Sequence, residues 1–273
     1  MLLPRLMTAI VGIPLIVLSV YWGGIPFFLM MAGVTFLALR EYFVLTKMKY
    51  QSQPVIGIAA GMAVFVFIYL NGTSFGPLAD NQGTVALLTF LLIPLCAREV
   101  FRSSTEKAVE RLAITFFGIF LVGWTLAHLL LIRAFRPGGM QFMYFLFIVI
   151  WVLDTGAYVV GKRFGRYKLA PAVSPKKTIE GAVGGVVTGM LAAMLCRALF
   201  MRDIISMPEA AMLGLVVSIV SQFSDLSESL LKRDVGVKDS AQLLPGHGGM
   251  LDRFDSFLFA APLMYYYLTL FKK

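Results

Sequence analysis

Charge is scarce in this chain. Only 14% of its 273 residues are Asp, Glu, Lys or Arg, against roughly 25% in an average soluble domain, and 59% are hydrophobic. Such a composition cannot hide its apolar side chains inside one water-facing globule. Cysteine is almost absent as well: Cys96 and Cys196 stand alone in apolar stretches, which fits neither a disulfide framework nor a zinc site. The sequence has no Gly-x-x-x-x-Gly-Lys-Ser/Thr run, no Gly-x-Gly-x-x-Gly run opening a strand-helix unit and no His-Glu-x-x-His run. These gaps argue against a P-loop transporter, a Rossmann reductase and an intramembrane metalloprotease. Also missing are a soluble domain, a low-complexity linker and the internal repeat that a secondary transporter would carry.

What is present is a series of apolar segments long enough to cross a bilayer. They predict an all-α polytopic membrane helical bundle of about nine transmembrane helices, near residues 5–22, 25–39, 54–71, 83–99, 112–132, 140–161, 180–201, 209–231 and 254–271. The first segment is expected to stay as a resident helix, because only Arg5 precedes it and VYWGGIPFF offers no small-residue cleavage pattern. The net charge of +9 does not call for nucleic acid, since its distribution follows membrane topology. Loops after even-numbered segments, with the N-terminus, hold eighteen of the 24 Lys and Arg. The positive-inside rule then puts those loops in the cytoplasm.

Residues 1–110 read as packing or oligomerisation helices, and 111–273 as the part that carries chemistry. In the first part Arg40, Glu41, Lys47, Lys49, Arg98, Glu99, Arg102 and Glu106, together with Arg111 just beyond it, fall at predicted helix ends. Snorkelling and topology account for them there. His128 is expected to be a hydrogen-bonded structural residue, because no acid lies one turn away.

The second part is different. Asp154, Asp225 and Glu228 lie inside otherwise apolar helices, where an Asp at the centre costs on the order of 2.5–3.5 kcal/mol even on the gentlest scale. Asp225, Glu228 and Lys232 fall at i, i+3 and i+7, so they share one helical stripe. The run from Ser229 to Asp255, SLLKRDVGVKDSAQLLPGHGGMLDRFD, adds cationic donors, hard oxygen ligands and a Gly-rich turn whose N–H groups can approach an anion. Carboxylates on neighbouring helix ends suit Mg²⁺, which takes one or two protein carboxylates and completes its shell with water and substrate phosphate. Structural ion pairing of these acids with Lys162, Lys176 or Lys232 is the competing reading.

Ser229-x-x-Lys232-Arg233, Lys238-Asp239-Ser240, Leu243-x-Pro245-Gly246-His247-Gly248-Gly249 and Asp252-Arg253-x-Asp255 resemble the signature of the phosphatidate cytidylyltransferases, or CDP-diacylglycerol synthases. Ser174-Pro175-Lys176-Lys177-Thr178 with Glu180-Gly181, and the segment Asp154 to Tyr158, are similar to the same family. The likeness is close over about residues 150–260 and rests elsewhere on length and hydropathy. Ser224 departs from it, since the family usually has Gly before the acidic residue that here is Asp225.

The resemblance implies transfer of CMP from CTP to phosphatidic acid in the plasma (inner) membrane, with the site facing the cytoplasm. It also implies a need for Mg²⁺, with room for a second cation. The catalytic group it implies is Asp225, Asp252, Lys232, Lys238 and His247. Asp225 and Asp252 would be metal ligands, Glu228 and Asp255 further ligands or supporting carboxylates, and Asp154 an additional candidate. Lys232, Arg233, Lys238 and Arg253 would neutralise triphosphate and pyrophosphate. Ser174, Lys176, Lys177 and Thr178 would hold lipid phosphate or nucleotide, and Gly246, Gly248 and Gly249 would bring backbone to phosphate. His247 would donate to phosphate or organise the turn rather than act as a base. Expected partners are CTP, phosphatidic acid, the bilayer and a second copy of the chain in a homo-oligomer. The competing activity is a CTP-dependent lipid-alcohol kinase, ahead of a secondary transporter.

Overall fold

The computed structural model describes residues 3–74, 82–241 and 248–272, and these form a helical bundle. In chain order the helices are α1 (Leu3–Trp22), α2 (Gly24–Tyr50), α3 (Pro54–Ser74), α4 (Gln82–Val100), α5 (Ala108–Gly118), a π-helical stretch (Ile119–Trp124) and α6 (Thr125–Ala134). After them come α7 (Gly139–Phe164), strands β1 (Lys168–Ala170) and β2 (Ser174–Thr178), then α8 (Ile179–Phe200), α9 (Met207–Asp234), α10 (Leu251–Phe254) and α11 (Phe257–Phe271).

Among the described residues six helices are long and apolar enough to cross a membrane: α2, α3, the continuous rod Ala108–Ala134, α7, α8 and α9. The all-α polytopic architecture is therefore present, while a count of nine spans is not established. Three segments also differ from expectation. α2 runs on to Tyr50, because Glu41 is buried by protein partners and so does not end the helix. The connection after α7 folds back as an antiparallel ribbon pairing Lys168 with Thr178 and Ala170 with Ser174. The last apolar segment breaks between α10 and α11. There the Ser224 hydroxyl donates to the Asp255 carbonyl and accepts the Phe259 N–H at 3.2 Å.

Local sequence explains the main boundaries. α9 opens with a capping box, Ser206 and Glu209 exchanging side-chain bonds with each other's backbone N–H, and with Pro in its first turn. Thr178 ends β2 and caps α8, its Oγ1 accepting the Gly181 N–H at 3.1 Å. The α7, α8 and α9 core is packed through small residues. A Cβ at Gly156 would collide with Thr188 Oγ1, and one at Gly189 with Ser218 Oγ. Close helix approach of this kind is the usual route to association in a bilayer, where lipid competes for apolar contacts. It brings the C-terminal ends of α7 and α9 and the N-terminal end of α8 to one end of the bundle.

The charges assigned to snorkelling in the N-terminal part need correction. Glu99 and Arg111 are both buried and paired at 2.5 Å, and Gln53 Nε2 donates to the same Glu99 carboxylate at 2.6 Å. They tie α3, α4 and α5 together as an internal network. Arg40, Lys47 and Lys49 are exposed as expected. His128 is buried, with Nδ1 at 2.8 Å from the Trp124 carbonyl and its ring against Trp124, Tyr265 and Tyr266. The structural reading of that histidine holds.

Candidate active site

The β1–β2 ribbon and α9 meet through charge. Lys177, on β2, places Nζ 2.5 Å from Asp225 Oδ2 at the start of the α9 stripe, and Ser229 Oγ donates to the other oxygen at 3.4 Å. Next to Lys232, the last residue of that stripe, Arg233 donates through Nε to the Val173 carbonyl at 3.1 Å and through Nη1 to the Val237 carbonyl at 3.0 Å. Ribbon and helix end are thus clasped at two points. Glu180 secures the other edge, accepting the Arg166 and Tyr167 N–H groups at 3.0 and 3.2 Å.

Lys232 is the hub of the second layer. Its ammonium lies 2.5 Å from Glu228 Oε2 and 2.6 Å from Asp252 Oδ1, which joins α9 to α10. Asp252 Oδ2 then accepts the Gly249 N–H at 2.7 Å and the Ser240 N–H at 3.0 Å, with the Ser240 hydroxyl also 3.0 Å away. Burial pushes the Asp252 carboxyl up, but the Lys232 ammonium and the backbone donors outweigh it and hold it below the usual carboxylate range.

The remaining acids have fewer partners. The charges acting on Asp255 are those of Asp225, Glu228 and Asp154, and Asp154 in turn faces Asp225, Lys177 and Arg253. Glu228 Oε1 is buried with no hydrogen-bond donor. Asp154 is exposed on α7 and Asp225 half-buried on α9. A set of hard carboxylate oxygens in mutual repulsion, one of them orphaned, fits a divalent cation. Among the described residues no three such side chains are gathered as a metal centre. Asp252, another expected ligand, has its oxygens engaged by Lys232, Ser240 and Gly249 and would have to release one of them to bind metal.

The expected site residues are thereby distributed as follows. Asp154, Lys177, Asp225, Glu228, Lys232, Asp252, Arg253 and Asp255 converge. Ser174 and Lys176 sit on the same ribbon, Lys176 exposed. Thr178 is occupied as a helix cap, and Lys238 is exposed on the turn after α9. Gly248 has φ +76°, the left-handed backbone that glycine adopts without strain, and Gly249 donates to Asp252. Gly246 and His247 lie outside the described residues.

Sequence reasoning missed Glu41. This buried α2 carboxylate accepts the Met250 and Leu251 N–H groups and the Ser240 hydroxyl, each at 2.8 Å. A Cβ at Gly249 would collide with both Ser240 Oγ and Glu41 Oε2. No local signal marked it, because a Glu beside an Arg at the end of an apolar run looks the same whether it faces water or a distant loop.

Comparison with known proteins places these observations in a family context. The sequence model described as the cytidylyltransferase family matches residues 3–271. The chain is 34% identical over 267 residues to a phosphatidate cytidylyltransferase of Bacillus subtilis (strain 168), covering 98% of this chain and 97% of that protein. It is 34% identical over 298 residues to the protein of that name from Synechocystis sp. (strain ATCC 27184 / PCC 6803 / Kazusa), covering 97% and 96%. A third similar protein of that name, from Staphylococcus saprophyticus, is 33% identical over 261 residues, covering 95% and 96%.

Proposed function

We propose, from the premise that the chain belongs to the cytidylyltransferase family, that it transfers CMP from CTP to phosphatidic acid, forming CDP-diacylglycerol and pyrophosphate for phospholipid biosynthesis. The observation that carries the reading is the 2.5 Å Lys177–Asp225 contact, which joins the two sequence motifs into one site at one end of the bundle.

The acceptor is a phosphate monoester, whose second pKa near 6 leaves it largely dianionic at neutral pH, so no protein base is needed to create the nucleophile. A lipid phosphate oxygen forms a bond to the α-phosphorus of CTP. The bond from that phosphorus to the α–β bridging oxygen breaks, and pyrophosphate leaves with the electron pair. The protein's work is alignment and charge cancellation. Lys177 and Lys176 on the ribbon and Lys232, Lys238, Arg233 and Arg253 around α9 and α10 supply the positive charge. Asp225 and Asp252, with Glu228 and Asp255 as further ligands or supporting carboxylates and Asp154 as an additional candidate, are the residues that would hold Mg²⁺, which when bound would offset charge on phosphate oxygens. Asp252 orders Lys232 and the Gly-rich turn. The exposure of Asp154 on α7 suits a lipid whose acyl chains stay in the bilayer.

The test is positional labelling in detergent with phosphatidic acid, CTP and Mg²⁺. Label from the α-phosphate is expected in the chloroform-soluble product and label from the γ-phosphate in pyrophosphate. Lipid carrying γ-label instead would establish the kinase reading.

Residues 1–110 serve in this reading as packing or oligomerisation helices, and the site faces the cytoplasm at the plasma membrane. With Cys96 and Cys196 replaced, single cysteines at Lys168 and Lys238 should resist an impermeant thiol reagent in intact cells while one at Arg136 reacts. The opposite pattern would invert the topology.

A further inference from the structure

We infer that Glu41 is a positioning residue for the transfer reaction, holding the turn between α9 and α10 in register with the carboxylates of α9. The inference rests on the cytidylyltransferase reading and assigns the N-terminal part a direct hand in the site.

Three features of the geometry carry it. Glu41 is 3% exposed, on a helix that reaches the site from the far end of the sequence. Its two oxygens accept the first N–H of α10 and the N–H just before it, at 2.8 Å each, where helix-end donors have no partner within the helix. It also accepts Ser240 Oγ at 2.8 Å, while the same hydroxyl lies 3.0 Å from Asp252 Oδ2. Ser240 has one proton, so its hydroxyl can donate to only one carboxylate at a time, and its N–H gives Asp252 a second bond at 3.0 Å. The result is a chain from Glu228 through Lys232, Asp252 and Ser240 to Glu41, with α9 at one end and α2 at the other.

A purely structural acid would have no reason to be confined to this turn. Glu41 touches both ends of the stretch that contains Pro245 to Gly249: Ser240 before it and Met250 and Leu251 after it. Holding Ser240, Met250 and Leu251 sets how the Ser240 and Gly249 donors meet Asp252, and through it Lys232. A collapsed or displaced turn would leave the fold and the α9 carboxylates in place but misalign the groups that face the triphosphate. Misplacement by about 1 Å can cost on the order of a hundredfold in rate.

Glu41→Gln keeps the volume but presents an amide donor to a site built only of donors. The full-length protein carrying Ala241→Cys, with Cys96→Ala and Cys196→Ala, serves as parent. Two readouts are compared: kcat and KM for CTP, and the rate at which a soluble maleimide modifies position 241. Glu41→Gln is expected to lower kcat by at least about tenfold, with a smaller change in KM for CTP, and to speed modification several-fold at an unchanged elution volume. Glu41→Asp should recover part of both. If Glu41→Gln does not yield folded protein, Ser240→Ala removes the hydroxyl link alone and should move both readouts in the same direction. Parental kcat in the folded variants, or lower kcat with a parental modification rate, overturns the inference. If the parent transfers no α-label to lipid, the reaction assignment fails, whereas the modification rate still reports on the anchoring of the turn.

Discussion

Two charge clusters in this molecule, each with a buried glutamate, Glu99 in one and Glu228 in the other, contrast sharply. In the N-terminal part Glu99 has Arg111 at 2.5 Å, Gln53 at 2.6 Å and Arg102 at 3.8 Å, so the carboxylate is surrounded by donors from the chain itself. In the C-terminal part the charges of Asp154, Asp225, Glu228 and Asp255 act on one another, Lys177 pairs with Asp225 and Lys232 with Glu228, and Glu228 Oε1 is left without a donor. A cluster that neutralises itself is complete when the chain folds. One that leaves carboxylates in mutual repulsion is complete only when something positive arrives. Burial therefore does not separate structural from chemical charge here. Internal compensation does.

The largest break in that comparison should come from Asp225→Asn. Removing the anion while keeping the volume should cut kcat by about a hundredfold or more and raise the Mg²⁺ needed for half-maximal rate. Asp252→Asn should lower kcat comparably with a smaller change in Mg²⁺ demand, because its oxygens are engaged by Lys232, Ser240 and Gly249. Labelled-nucleotide turnover across a Mg²⁺ series checks both, and equal shifts in demand would make the two acids equivalent ligands.

Glu99→Gln tests the opposite side. It strands the buried Arg111 guanidinium, which typically costs about 3–5 kcal/mol when one partner of a buried pair is removed. Thermal unfolding in detergent should fall markedly while turnover per folded molecule stays at the parental value. A selective loss of turnover would merge the two clusters into one functional unit.

The smallest effect belongs to Thr178→Val. It deletes the α8 cap, worth about 0.5–2 kcal/mol, and leaves Lys177 in place. A slight drop in melting temperature with little change in KM for phosphatidic acid is expected. A large rise in KM would return Thr178 to the substrate-binding set.

Much of this was legible in the residues. Apolar runs gave the bundle, and the i, i+3, i+7 spacing of Asp225, Glu228 and Lys232 put them on one stripe. The Ser174–Thr178 motif marked the segment that meets that stripe. The ribbon was not legible, because SPKKT carries no alternation of apolar and polar residues to announce a strand. Nor was the break before α11, where a serine hydroxyl substitutes for a helical hydrogen bond. Charges at the ends of apolar runs were misjudged for one reason: snorkelling and burial use the same residue types at the same positions, and only a partner distant in sequence tells them apart.

Composition and periodicity by themselves determined that this chain is a helical membrane protein and which stretches carry charge in apolar surroundings, since both follow from how each segment partitions between lipid and water. Only the tertiary structure decided which charges meet. Lys177 reaches Asp225 across a separation of 48, and Glu41 reaches Leu251 across a separation of 210. Contacts of that kind are set by glycine-packed helix crossings and hydrogen-bond geometry, which no local stretch of sequence encodes.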